Sequence, residues 1–279
     1  MARRPPAPDT PHAMTLTDLY LYPLKSCAPL AVEQAAVEPR GLAGDRRWMI
    51  VDATDRFITG RQFPRITLIR ARPDERGLVL DAPGMPSLQV EPPRNAAHRF
   101  VEVWKEPVPA AEAAPEAARW LSEYLGTDAR LVHMDDSMVR LMDPACSREG
   151  DIVSFADSCP LMLIGSASLD LLNTRLDAPV GMTRFRPNLV VGTALAHAED
   201  DWTRIRIGEV EFDVAKACTR CNFVNIDPAT GEKSADGQPL KTLTTYRRFE
   251  AGVNFGVHLI PRSPGMLHRG DRLTVLETR

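Results

Sequence analysis

The chain of 279 residues is 44% hydrophobic and carries a formal net charge of −3. It can therefore bury a sizeable core in one large or two ordinary domains, and it offers no general attraction to nucleic acid or to an anionic membrane. Its longest apolar runs, such as residues 160–164, are far too short for a membrane span, and five irregularly placed cysteines make no disulfide framework and fit a reducing, cytoplasmic compartment.

Residues 1–14 hold Arg3 and Arg4 but no apolar stretch of signal-peptide length, and read as a disordered leader. From Thr15 to about Phe100 the pattern is repeatedly β. Leu16, Leu19 and Leu21 belong to a first extended run and residues 30–32 to a second, while Gly41, Gly44 and Asp45 turn the chain into a third over 46–52. Runs at 57–59, 66–71, 78–80, 88–90 and 100–104 continue the series. Short strands at fairly even intervals between Gly and Pro turns predict a barrel or sandwich. Two breaks in this pattern are basic: Lys25 with Ser26 after the first strand, and Asp45-Arg46-Arg47 at the entrance to the third. They are either ordinary solvated loop charge or an anion clamp.

Residues 115–126 predict a helix, with Pro115 in its first turn, Leu121 and Leu125 four apart, and Gly126 at its C-terminus. The Ala-, Pro- and Glu-rich segment 106–114 ahead of it marks the junction, giving two domains over 15–127 and 128–279. The second opens with an extended run at 130–134 and a polar stretch, 135–151, expected as a mobile loop. A polar turn at 155–160 leads into an apolar strand, and Ser166 is expected to cap a helix over 167–176. A strand at 189–191 follows, then a hairpin of 202–207 with 210–214 turning at Gly208 and Glu209. Segments 240–247, 253–260 and 272–276 close a mixed chain with a mainly β core.

The chemistry centres on Cys218-Thr219-Arg220-Cys221. Val210, Phe212 and Val214 alternate with Glu211 and Asp213 before it, and Phe223, Val224 and Ile226 predict a second strand after it, so both thiols sit in a turn at a strand end. Lys216 and Arg220 favour the ionised thiolate that binds metals and attacks electrophiles. Either thiol can simply fill space. A structural zinc site needs two more ligands, yet Cys27, Cys146 and Cys159 stand singly. A thioredoxin-like dithiol would open a helix, whereas β-branched and aromatic residues follow Cys221. A single-thiolate site for a soft metal, with a second thiol nearby, is the chemical reading that remains.

Tyr22-Pro23-Leu24-Lys25-Ser26-Cys27, Gly44-Asp45-Arg46, Thr59-Gly60-Arg61-Gln62, Phe155-Ala156-Asp157, Arg184-Phe185-Arg186-Pro187-Asn188, Ala217-Cys218-Thr219-Arg220-Cys221 and Asn254-Phe255-Gly256, in this order, resemble the MOSC family, and within it the two-part members related to amidoxime-reducing components. The resemblance runs from about residue 15 to the C-terminus. It implies a mainly β fold with α+β elements: an N-terminal β-barrel domain followed by a β-barrel-like MOSC domain, with a cofactor cleft between them. It implies a molybdenum cofactor (Mo-molybdopterin) whose protein thiolate is Cys221, with Thr219 beside it. Lys25, Ser26 and Arg46 would meet the pterin phosphate, Arg186 and Asn188 would meet the cofactor from the other half, and Asp157, Ser158 and Cys159 would approach metal and pterin. Cys159 stands where relatives often have a hydroxyl residue and His258 where some have Tyr. The implied reaction is two-electron reduction of an N–O bond in a small N-hydroxylated substrate, with Asp157 delivering protons or only holding its loop. No fused iron–sulfur domain or membrane anchor is visible, so electrons would come from a separate ferredoxin- or flavin/cytochrome-type protein. A sulfurase-like branch of the family suggests another class of function, a cofactor or persulfide carrier working through Cys221 or Cys218.

Overall fold

Alternating burial builds the largest sheet. In the strand Val210–Thr219, Val210, Phe212 and Val214 are buried while Glu211 and Asp213 remain partly exposed, as a period of two requires. The computed structural model describes residues 14–94 and 97–279, so the expected leader lies, apart from Met14, outside the described residues. Nine strands form this sheet. Along it lie Leu273–Thr278, Trp202–Ile207, Val210–Thr219, Gly252–Pro261, Leu161–Gly165, Leu189–Val191, Leu16–Leu21 and Leu30–Ala31, with Arg248–Phe249 on the flank of Gly252–Pro261. Leu161–Gly165 and Leu189–Val191 run parallel, joined through helix α1 (Ser166–Asn173); their uninterrupted apolar sequences match burial on both faces.

The chain's first strand thus pairs with Leu189–Val191, more than 160 residues away in sequence. A second link of this kind joins Gln34–Glu38 to Gly265–His268. The remaining strands of the first half make a four-stranded sheet, Trp48–Val51, Arg130–His133, Glu106–Glu112 and His98–Val103, and a three-stranded one, Arg70–Asp74, Gly77–Asp81 and Leu88–Val90. Helix α2 (Pro115–Leu125) covers a core containing Tyr22, Leu24, Ile50, Ile66 and Leu121. Gly126 ends it in the left-handed conformation, donating its N–H to Ser122 O, as expected. The molecule is mainly β with α+β elements, and the cleft between its barrel halves is built from both.

Several local expectations are corrected. Residues 106–112 are a strand: Val108, Ala110 and Ala111 are buried, and Pro107 and Pro109 are tolerated because only Ala111 and Glu112 pair with the neighbour on the far side. Residues 64–68 form a 3-10 turn opened by Pro64, and 57–59 make only an isolated bridge with Val51. Ser166 is the first residue of its helix and provides no cap; its Oγ accepts instead from Thr193 N, and the helix stops at Asn173. After Cys221 the chain enters the 3-10 helix Asn222–Asn225, with no second strand. The 135–151 segment is fastened by buried arginines: Arg40 donates to Asp135 O, and Arg140 donates to Ser154 O and Ala156 O just beyond it.

Candidate functional site

A cavity of about 440 Å³ opens where the halves meet. Lys25, Ser26 and Arg46 reach it from the first half. Asp157, Ser158, Cys159, Arg186, Asn188 and His258 reach it from the second, as do Thr219 and Cys221. Every residue that the resemblance put at the cofactor therefore lines one space, whereas Arg47, the other cation of the expected clamp, does not.

The cationic wall is assembled on strained backbone. Ser26 (φ 69°), Arg46 (φ 48°) and Arg186 (φ 56°) all adopt the left-handed conformation that L residues avoid. Buried Asp45 accepts from Tyr22 N at 2.8 Å, from Asn188 Nδ2 at 3.1 Å and from Arg46 Nη1 at 2.5 Å. Asn188 Oδ1 accepts a further bond from Arg46 at 2.9 Å, so Asn188 orients the guanidinium besides lining the cavity. The ring of Tyr22 lies between Arg46 and Arg186, 4.4 and 4.2 Å from their guanidinium carbons. Arg186 Nη1 donates to Cys27 O at 2.5 Å, while its Nη2 is buried with no partner.

Lys25 is 6% exposed and donates to Phe155 O at 2.6 Å and to Asp157 Oδ1 at 2.5 Å. Burial pushes the ammonium down in pKa, opposed by Asp157. For Asp157, enclosure by the cavity walls works to raise the carboxyl, but Lys25 outweighs it, helped by Trp104 and Arg61, and the group is held well below the usual carboxylate range. Its side chain is 67% exposed, which weakens the pull of these cations without reversing it. Asp157 is thus an ionised carboxylate at neutral pH.

The thiols come from the end of the longest strand pair. The pairing of Val210–Thr219 with Gly252–Pro261 is irregular between Val214 and Lys216 and again between Ala217 and Thr219, the kind of bulge that re-aims side chains. Arg220 fixes the turn by donating to Phe255 O at 2.6 Å and to Phe185 O at 2.8 Å. Cys218 is buried and Cys221 exposed. Burial works to raise the Cys218 thiol, but Arg220 and His258 prevail and bring it down to about 7.

Residues 13–128 match the MOSC N-terminal beta barrel domain, and residues 150–274 match the MOSC domain. Mitochondrial amidoxime-reducing component 1 of Mus musculus is 32% identical over 94% of this chain and 82% of its own length. The chain belongs to the MOSC family of amidoxime-reducing components. The human component 1 is 31% identical over 94% of this chain and 83% of its own, and component 2 of Bos taurus is 32% identical over 92% and 82%. Among the described residues no helix is long and apolar enough to cross a membrane.

A MOSC protein of this kind raises the question of whether the cavity fits a phosphate-bearing pterin with a soft metal. The unpartnered Arg186 Nη2 in a cationic wall suits an anion, and the exposed Cys221 thiol suits a metal whose other sulfur ligands come from the cofactor. Among the described residues no three His, Cys, Asp or Glu side chains converge on an ion by themselves. Sequence reasoning assigned no role to Arg61, Arg184 or Tyr22, although all three stand inside the motifs that carried the resemblance. Arg184 is neutralised by Asp227 at 2.8 Å.

Proposed function

We propose that this protein is a molybdenum-cofactor-dependent oxidoreductase that reduces small N-hydroxylated compounds to the amine or amidine and water. The observation that carries the reading is the convergence in one cavity of a cationic wall, an exposed thiol and an ionised carboxylate. Cys221 would ligate the metal, and Lys25, Ser26, Arg46 and Arg186 would bind the pterin phosphate through charge-assisted hydrogen bonds. Asn188, Thr219, Ser158, Cys159 and His258 would line the pterin and its surroundings. When bound, the cofactor would supply a redox metal able to accept the substrate oxygen and deliver two electrons.

The chain's own residues handle the two protons the reaction consumes. Asp157 is our candidate for proton delivery. Because its carboxylate is ionised, a proton bound for the substrate is stored on the Lys25 ammonium, 2.5 Å from Asp157 Oδ1, and passes to the substrate by way of the Asp157 carboxylate. The two electrons would arrive from a separate ferredoxin- or flavin/cytochrome-type protein. All five cysteines are unpaired, which supports a cytoplasmic, reducing setting.

One feature favours a second reading, a cofactor or persulfide carrier. A Cys218 thiol brought down to about 7 is substantially ionised at neutral pH and nucleophilic. The two readings separate on one experiment. Protein produced with abundant molybdenum cofactor is passed through gel filtration, assayed for Mo and pterin, and tested for benzamidoxime reduction with an artificial reductant. Retained Mo with turnover supports the reductase; absent Mo with a persulfide on Cys218 or Cys221 replaces it with the carrier.

A further inference from the structure

The hairpin joining His98–Val103 to Glu106–Glu112 turns at Trp104 and Lys105, which have φ of 53° and 70°. Two consecutive left-handed residues make the tight turn that Asn-Gly or Asp-Gly normally supplies, and a bulky aromatic residue is an outlier there. Three of the four tryptophans, Trp48, Trp120 and Trp202, are buried in cores, whereas Trp104 is 43% exposed. Its indole is nevertheless engaged. Nε1 donates to Asp157 Oδ1 at 3.2 Å, across to the MOSC half. The Arg61 guanidinium stacks 4.6 Å from its ring, and the Phe57 ring lies 5.0 Å away.

We propose that Trp104 is a positioning residue: the first half extends a hairpin to the mouth of the cleft so that the indole N–H holds the Asp157 carboxylate in register with the reacting centre. Trp104 and Lys25 both bind the same oxygen, Oδ1, and neither takes Oδ2. A carboxylate gripped by one oxygen from two directions cannot rotate freely, and its second oxygen stays available to substrate or solvent in the cavity. Packing over Phe57 alone would call for any large apolar ring and would not select an N–H.

This inference rests on the role proposed for Asp157, and the test separates the two. Uniformly ¹⁵N-labelled full-length protein should give four indole signals, with that of Trp104 identified by its loss in Trp104→Phe. In Asp157→Ala that signal alone should shift. In turnover of benzamidoxime by cofactor-loaded protein, Trp104→Phe, which keeps the ring, should lower kcat by about tenfold with little change in KM, the scale of one hydrogen bond to a charged group. Phe100→Ala, an exposed residue of the same hairpin, should change neither readout. An indole signal indifferent to Asp157→Ala, or a Trp104→Phe protein with wild-type kcat while Asp157→Asn is slow, overturns the positioning role and leaves the proposed function standing. A signal that shifts while neither Asp157→Asn nor Trp104→Phe affects turnover overturns the roles of both residues.

Discussion

Arg46 and Lys25 are both cations of the cavity wall, yet removing them has different consequences. Arg46 neutralises Asp45, whose side chain is fully buried, so Arg46→Ala strands a carboxylate in the core. Breaking such a pair costs about 3–5 kcal/mol. Lys25 pairs with Asp157, which is open to solvent in the cavity and can be hydrated when its partner is lost. Both variants should lose cofactor on extensive dialysis, because each phosphate contact to a charged donor is worth about 1.5–3 kcal/mol. Only Arg46→Ala should also unfold at a clearly lower urea concentration. Wild-type cofactor occupancy in both variants would make these charges structural and misplace the anion site.

Among the elements, the Gly252–Pro261 strand shows what the sequence could and could not convey. Gly256 has φ 78°, and a Cβ there would lie 2.6 Å from Ile164 Cγ1 and 2.7 Å from Leu163 O. Gly256→Ala is therefore expected to cost about 2–4 kcal/mol, from left-handed strain plus overpacking, measurable as a lower urea midpoint. An unchanged midpoint would show that Leu161–Gly165 yields without cost. The glycine was visible in an Asn-Phe-Gly motif, but its reason lies in a strand about 90 residues earlier. The same division runs through the other elements. Helix α2 was legible because Pro115 and Gly126 are local signals. The strand Glu106–Glu112 was not, because two prolines argue against a strand until the neighbouring edge is known to be unpaired along most of its length. Phe223, Val224 and Ile226 suggested extension, yet Val224 N donates to Cys221 O and Ile226 N to Phe223 O, and the backbone tightens into a 3-10 turn.

At the scale of the whole molecule, the two family regions share a sheet. Leu16–Leu21 lies beside Leu189–Val191, and Arg130–His133, beyond the expected junction at 127, belongs with Trp48–Val51. Composition and spacing carry no such pairing, so the cleft's residues were legible through ordered motifs while the way both halves meet there was not. One consequence concerns acid. His133 packs on Trp48 at the join of these strands, and burial, with Arg47 beside it, pushes its pKa down to about 4. The folded form refuses a proton that the unfolded chain takes near pH 6.5, so this residue's contribution is fully present above about 6.5 and is lost as pH falls toward 4. His133→Phe, which keeps a ring against Trp48, should gain about 1 kcal/mol on wild type between pH 7.5 and pH 5, a figure reduced for the ring's partial exposure. A constant difference between the two proteins across that range would contradict it.

The central claim is that one thiol of the pair, Cys221, holds the metal, while Cys218, buried three residues earlier, does not. The most direct measurement is benzamidoxime reduction by Cys221→Ser and Cys218→Ser, each supplied with the same artificial reductant and normalised to bound pterin. A hydroxyl cannot replace a soft sulfur donor, so Cys221→Ser should be inactive and Cys218→Ser should keep most of the wild-type rate. Equal loss in both variants, or turnover by Cys221→Ser, would contradict the account.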